Sequence, residues 1–76
     1  MNPEIELEMR ILCDNIRKLR KRNRLSRRKM AKLLRISVFD LYRIEKGAFP
    51  VNVDVSILWE IRRHFGIDLK DQFRPI

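Results

Sequence analysis

A single cysteine, Cys13, excludes an internal disulfide and fits a reducing cytosol; on the first helix it reads as a small buried or half-buried apolar residue. The one histidine, His64, has no cysteine or acid at metal-ligand spacing and reads as a solvated imidazole at a helix end. The only glycines are Gly47 and Gly66, so there is no glycine-rich loop to cradle a phosphate. Glu4, Glu6 and Glu8 suggest a cation site at first sight, but they spread over different faces of a helix, which favours solvation. No catalytic constellation is left, and neither an enzyme nor a cofactor is expected. No apolar run approaches the ~18–20 residues of a membrane span, and the start is acidic, unlike a signal peptide. The expectation is a cytoplasmic protein with no membrane contact.

Acids are also missing from Arg17 to Arg35. That stretch holds Arg17, Lys18, Arg20, Lys21, Arg22, Arg24, Arg27, Arg28, Lys29, Lys32 and Arg35, which is +11 within a chain of net charge +8, leaving −3 for the rest. So dense a block is an electrostatic footprint for nucleic acid; the plainer reading is a solvated basic face. With 76 residues the chain makes one small domain. Such a domain buries about 60–65% of its unfolded surface, which makes for modest stability.

Asn2-Pro3-Glu4 reads as a helix start: a cap, proline in the first turn, then acid. Ile5, Met9, Leu12, Ile16 and Leu19 follow as one apolar stripe at spacings of four and three. Glu4 to Ile11 also alternates charged and apolar, the strand period. Its helix-forming residues, and the stripe running on to Leu19, favour one helix to about Asn23. Asn23 suits the left-handed conformation that ends a helix. Ser26 then precedes Met30, Ala31 and Leu34, and Ser37 precedes Leu41 and Ile44, two N-cap signals with only Arg35 and Ile36 between the helices. Asp40, three residues after Ser37, can return a bond to the cap. This pattern, with small Ala31 at the crossing, is a helix-turn-helix. Gly47 ends the third helix. Val51, Val53 and Val55 read as residues capping the core from a loop. Asp54 or Asn52 caps a fourth helix with Ile57, Leu58, Ile61 and Phe65 inward, Trp59 at its side, and Arg62, Arg63 and His64 near its end. Gly66 stops it. Asp68 caps a short fifth helix through Gln72, and Phe73 folds back on the core.

The ordered set Ile16, Leu19-Arg20, Leu25-Ser26, Met30-Ala31, Leu34, Ile36-Ser37, Leu41, Arg43-Ile44-Glu45 and Gly47, with Ile61, Phe65-Gly66-Ile67, Leu69 and Phe73, resembles the lambda-repressor-like family, the Cro and XRE-type regulators of bacteria and their phages. The resemblance implies an all-α, compact five-helix domain over 12–73, with 1–11 as an extension of the first helix and 74–76 as a tail. It also implies that the second helix of the motif lies in the DNA major groove. Arg27 stands where the family usually carries a phosphate-contacting glutamine, and Arg28 and Lys29 extend that contact. Base reading falls on Val38, Phe39, Tyr42 and Arg43, with Lys46 beside them. Only Arg43 offers a bidentate fork for guanine, while Val38 and Phe39 suit a thymine methyl. Arg20 and Glu45 are implied as a structural ion pair between the first and third helices. Departures from the pattern are Asn23-Arg24 for a common lysine-glycine, Arg35 for the glycine of the turn, and Leu33 at a usually polar place. If φ at Arg35 is positive, the arginine costs about 1 kcal/mol.

The partner implied is double-stranded DNA, bound by a homodimer on a two-fold operator. Two rivals remain. One is a protein-interaction module on the same fold, an anti-repressor or antitoxin partner, docking through Leu33, Val38 and Phe39. The other is sequence-independent nucleic-acid binding by the basic block.

Overall fold

The computed structural model describes residues 2–76; Met1 of the expected extension lies outside them. Among the described residues the chain forms α1 (Pro3–Arg22), α2 (Arg27–Leu34), α3 (Val38–Glu45), α4 (Ser56–Phe65) and a 3₁₀ helix (Leu69–Phe73), and no strand. The alternation of Glu4 to Ile11 is therefore helical. Asn2 caps α1, its Oδ1 accepting from the Glu4 amide at 2.9 Å. The two serines behave as their positions demand: Ser26 Oγ accepts from the Lys29 amide at 3.1 Å and Ser37 Oγ from the Asp40 amide at 3.0 Å. The reciprocal half of the expected box does not form. The Asp40 carboxylate accepts instead from Asn52 Nδ2, at 3.0 Å.

The first three helices end alike, and the mechanism corrects one expectation. Leu25, Ile36 and Ala48 each donate an amide hydrogen back to the carbonyl five residues earlier, on Arg20, Ala31 and Arg43. The residue just before each donor is left-handed: Arg24 (φ 54°), Arg35 (φ 60°) and Gly47 (φ 93°). These are Schellman endings. In the first two, the following apolar residue, Leu25 or Ile36, packs onto the core. That packing decides which residue turns left-handed, so Arg24 takes the conformation expected of Asn23, which sits at φ −92°. Arg35→Gly is expected to stabilise the fold by about 0.5–1 kcal/mol, since relief at positive φ exceeds the extra freedom glycine has when unfolded. A thermal melt should show a rise of a few degrees; a fall would mean that the arginine side chain makes a stabilising contact.

α1 packs against α3 and the 3₁₀ helix, α2 against α3 and α4. Leu12, Ile16, Met30, Leu34, Leu41, Ile44, Ile57 and Ile61 are fully buried between them. Cys13 is buried as expected, and burial pushes its thiol up to about 11. The expected stripe of α1 is only partly covered: Met9 is half-buried and Ile5 is exposed, as is Leu7 off the stripe. Beside this part of α1 lies the loop after α3: Glu6, Met9 and Arg10 border an open groove with Phe49, Pro50 and Val51. The valine expectation also fails in part. Val53 packs on the core, but Val51 and Val55 are exposed. Asp54, not Asn52, serves the start of α4, its Oδ1 accepting from the Ser56 amide at 3.1 Å.

The fifth element is a five-residue 3₁₀ helix rather than an α-helix. Asp68 gives it no side-chain cap, and Pro75 cannot continue it. Its geometry is set by tertiary anchors. Gln72 Nε2 donates to the Leu58 and Ile67 carbonyls, at 2.8 and 3.0 Å. Buried Asn15 on α1 donates Nδ2 to the Gln72 and Arg74 carbonyls, at 2.8 and 2.7 Å, and accepts from the Ile76 amide at 3.3 Å. Asn15 was not singled out in the sequence. Its place between Leu12 and Leu19 on the stripe is the signal that it faces inward.

Candidate nucleic-acid interface

Leu41 and Ile44 fix α3 to the core, and the same helical period turns Val38, Phe39, Tyr42 and Arg43 outward. Phe39 is 68% exposed, and Val38 and Tyr42 are each 44% exposed. An aromatic pair so exposed on a well-anchored helix points to a surface made for contact rather than packing.

Each aromatic carries cations. The Arg43 guanidinium lies over the Phe39 ring, 5.7 Å from its centroid. Tyr42 is flanked by the Arg27 guanidinium at 5.5 Å and the Lys46 ammonium at 5.3 Å. Five of the eight residues expected at the DNA surface are thus drawn into two stacks. The others lie alongside: Arg28, Lys29 and Val38 line a shallow depression with Ser26 and Lys32. Leu33, expected on a protein-docking face with Val38 and Phe39, is half-buried.

Behind the exposed face sits the expected ion pair. Arg20 grips Glu45 with two parallel bonds, Nε to Oε2 at 2.6 Å and Nη2 to Oε1 at 2.9 Å, and its Nη1 donates to the Leu25 carbonyl at 3.2 Å. The Glu45 side chain is 2% exposed and that of Arg20 13%. Arg27 Nε adds a third bond to Glu45 Oε1 at 3.3 Å. Burial pushes the Glu45 carboxyl up, but the hydrogen bonds and charge of Arg20, then of Arg27, outweigh it and hold it below the ordinary carboxylate range. One carboxylate therefore ties α1, the start of α2 and the end of α3 together, and holds Arg27 beside Tyr42.

The electrostatics of the surface are one-sided. Arg28, Lys29, Lys32 and Arg35 are exposed along α2 and its end. Arg17 and Lys18, farther back on α1, are drawn to Asp14 at 3.8 and 3.2 Å. Asp40, an acid on α3 itself, is turned onto Asn52. That bond from the loop after α3 was not foreseen; its partners are twelve residues apart and no local spacing announces it. Among the described residues no cluster of potential ligands could hold a metal ion, and no helix is long and apolar enough to cross a membrane.

A family model described as helix-turn-helix matches residues 16–72. The match takes in the last two turns of α1, all of α2, α3 and α4 and most of the 3₁₀ helix, and leaves out α1 before Ile16. Comparison with curated proteins and with solved structures gave no match.

Proposed function

The chain belongs to the XRE/lambda-repressor-like helix-turn-helix family, a family of DNA-binding regulators, and on that premise we propose that it is a sequence-specific transcriptional regulator of the cytoplasm that binds double-stranded DNA as a homodimer. In this reading α3 enters the major groove and the exposed bases of α2 lie on the flanking phosphates. The observation that carries it is the outward face of α3. Phe39, Tyr42 and Arg43 stand exposed on a helix held from behind by Leu41, Ile44 and the Glu45 ion pair, with cations stacked on both rings. Such a face presents a donor fork and apolar contact together on an anchored helix, the two elements that read base edges.

Selection of bound duplexes from a random pool at physiological salt tests the proposal. A two-fold symmetric sequence with a fixed half-site spacing supports it. Recovery of no preferred sequence leaves only sequence-independent binding by the basic block. Lys29 tests the division of labour. Lys29→Ala is expected to weaken binding to all duplexes alike and to flatten the salt dependence by about 0.9 in the log–log slope, one phosphate contact. A change in the preferred sequence would contradict its assignment as a positioning residue.

A second reading is favoured by one feature, the 68% exposure of Phe39. An aromatic side chain can serve as the anchor of a protein interface. A stable protein complex that loses its affinity in Phe39→Ala, with DNA binding unchanged, would select that reading.

A further inference from the structure

Phe39 and Arg43 are four residues apart on α3 and therefore neighbours on one face. The guanidinium carbon of Arg43 lies over the ring, 5.7 Å from its centroid. A ring neighbour of this kind accepts none of the guanidinium's N–H groups, so the fork remains free for bidentate bonding. Nothing on α3 competes for those edges, because both of its carboxylates are engaged elsewhere. Glu45 is held by Arg20 and Arg27, and Asp40 by Asn52. Arg43 is thus set for one partner while an aromatic plate lies against it. If the fork donates to O6 and N7 of a guanine, a ring centred 5.7 Å away reaches the neighbouring base pairs, which follow one another every ~3.4 Å. The group that a neighbouring pyrimidine presents there is the C5 position, and a phenyl ring has apolar surface but no hydrogen bond to offer it.

Resting on the DNA-reading proposal above, we propose that Phe39 and Arg43 act as a single reader of a two-base step: a guanine taken by the Arg43 fork, and an adjacent pyrimidine recognised by its C5-methyl group against the Phe39 ring. Thymine and 5-methylcytosine both carry that methyl in the major groove. The unit therefore discriminates by methyl as well as by base, and the four-residue spacing on one helix face keeps the two contacts side by side.

The test uses the full chain and the duplex recovered by selection. The expected site has a guanine flanked by thymine in each half. Replacing the thymine of one half by uracil removes one methyl and nothing else, and should weaken binding roughly fourfold, the transfer value of one methyl-sized group. In Phe39→Ala, thymine and uracil duplexes should bind alike. Phe39 is 68% exposed, so this variant should keep its fold, as its circular dichroism and melting will show. A cytosine at the same place, compared with 5-methylcytosine, distinguishes the source of the methyl. Methylation should raise affinity by a similar factor. Tighter binding of 5-methylcytosine than of thymine assigns the reader to modified DNA, and the opposite order assigns it to thymine. Equal binding of thymine and uracil duplexes, a recovered site with no thymine or methylcytosine beside a guanine, or a methyl effect that survives Phe39→Ala would each overturn the inference while leaving sequence-specific binding in place. Absence of any sequence preference would overturn both.

Discussion

Glu45→Ala is expected to destabilise the fold by about 3–5 kcal/mol, the cost of leaving one member of a buried ion pair without its partner. For a domain of this size each kcal/mol is worth about 4–8 °C of melting temperature, so the loss approaches the whole stability of the domain. The geometry supports the upper class of effect. Arg20 is 13% exposed and loses two bonds of 2.6 and 2.9 Å, keeping only its contact to the Leu25 carbonyl. Arg27, with 45% of its side chain exposed, adds little to this cost, because solvent screens its share. Glu45→Gln keeps the shape and some hydrogen bonding and should lose less.

The same carboxylate makes stability depend on pH in a definite direction. Its folded value lies below the ordinary one, so its contribution is fully present above about pH 4.3 and is lost as pH falls through the depressed folded value. The stability gap between the wild type and Glu45→Gln should therefore be constant at neutral pH and close only below about pH 4. Chemical denaturation at a series of pH values measures it. A gap that closes near neutrality, or no gap at all, would show that the carboxylate is solvated and that the α1–α3 tie contributes nothing.

The sequence disclosed the parts of this molecule that are local. Ser26 and Ser37 cap their helices because a hydroxyl before an apolar period has one geometric use, and both do so. The buried faces of α2, α3 and α4 follow from their spacing. The Arg20–Glu45 pair was legible only through the resemblance, since 25 residues separate its members. What stayed hidden depends on where other elements end. Ile5 continues the stripe of Leu12 and Ile16 without interruption, yet it is exposed, and nothing in its own neighbourhood says so. Val51 is likewise apolar and fully exposed. Arg24 takes the left-handed position from Asn23 because Leu25 must reach the core, a tertiary demand that overrides local preference. The outward placement of Val38, Phe39, Tyr42 and Arg43 was legible from the period of α3. Their arrangement into two cation–aromatic stacks was not, because side-chain partners on an exposed face follow from rotamers rather than from residue order.

Arg43 is where that arrangement bears most on function. Arg43→Ala is expected to cost about 1–3 kcal/mol on the preferred duplex and much less on random DNA, because a bidentate contact to guanine is made only at the correct base. Arg43→Lys separates charge from geometry. Lysine keeps the positive charge and the attraction to phosphate, but it has no planar fork and stacks poorly on Phe39. It should retain binding to random DNA and the salt slope of the wild type, while losing most of the preference for the selected site. Binding measured for both variants on selected and random duplexes, at two salt concentrations, gives the four numbers needed. Equal losses on both duplexes for Arg43→Ala, with full rescue by lysine, would mean that the residue acts as a charge alone. Base readout by α3 would then have lost its strongest donor, and the exposed Phe39 would stand as better evidence for a protein partner than for DNA.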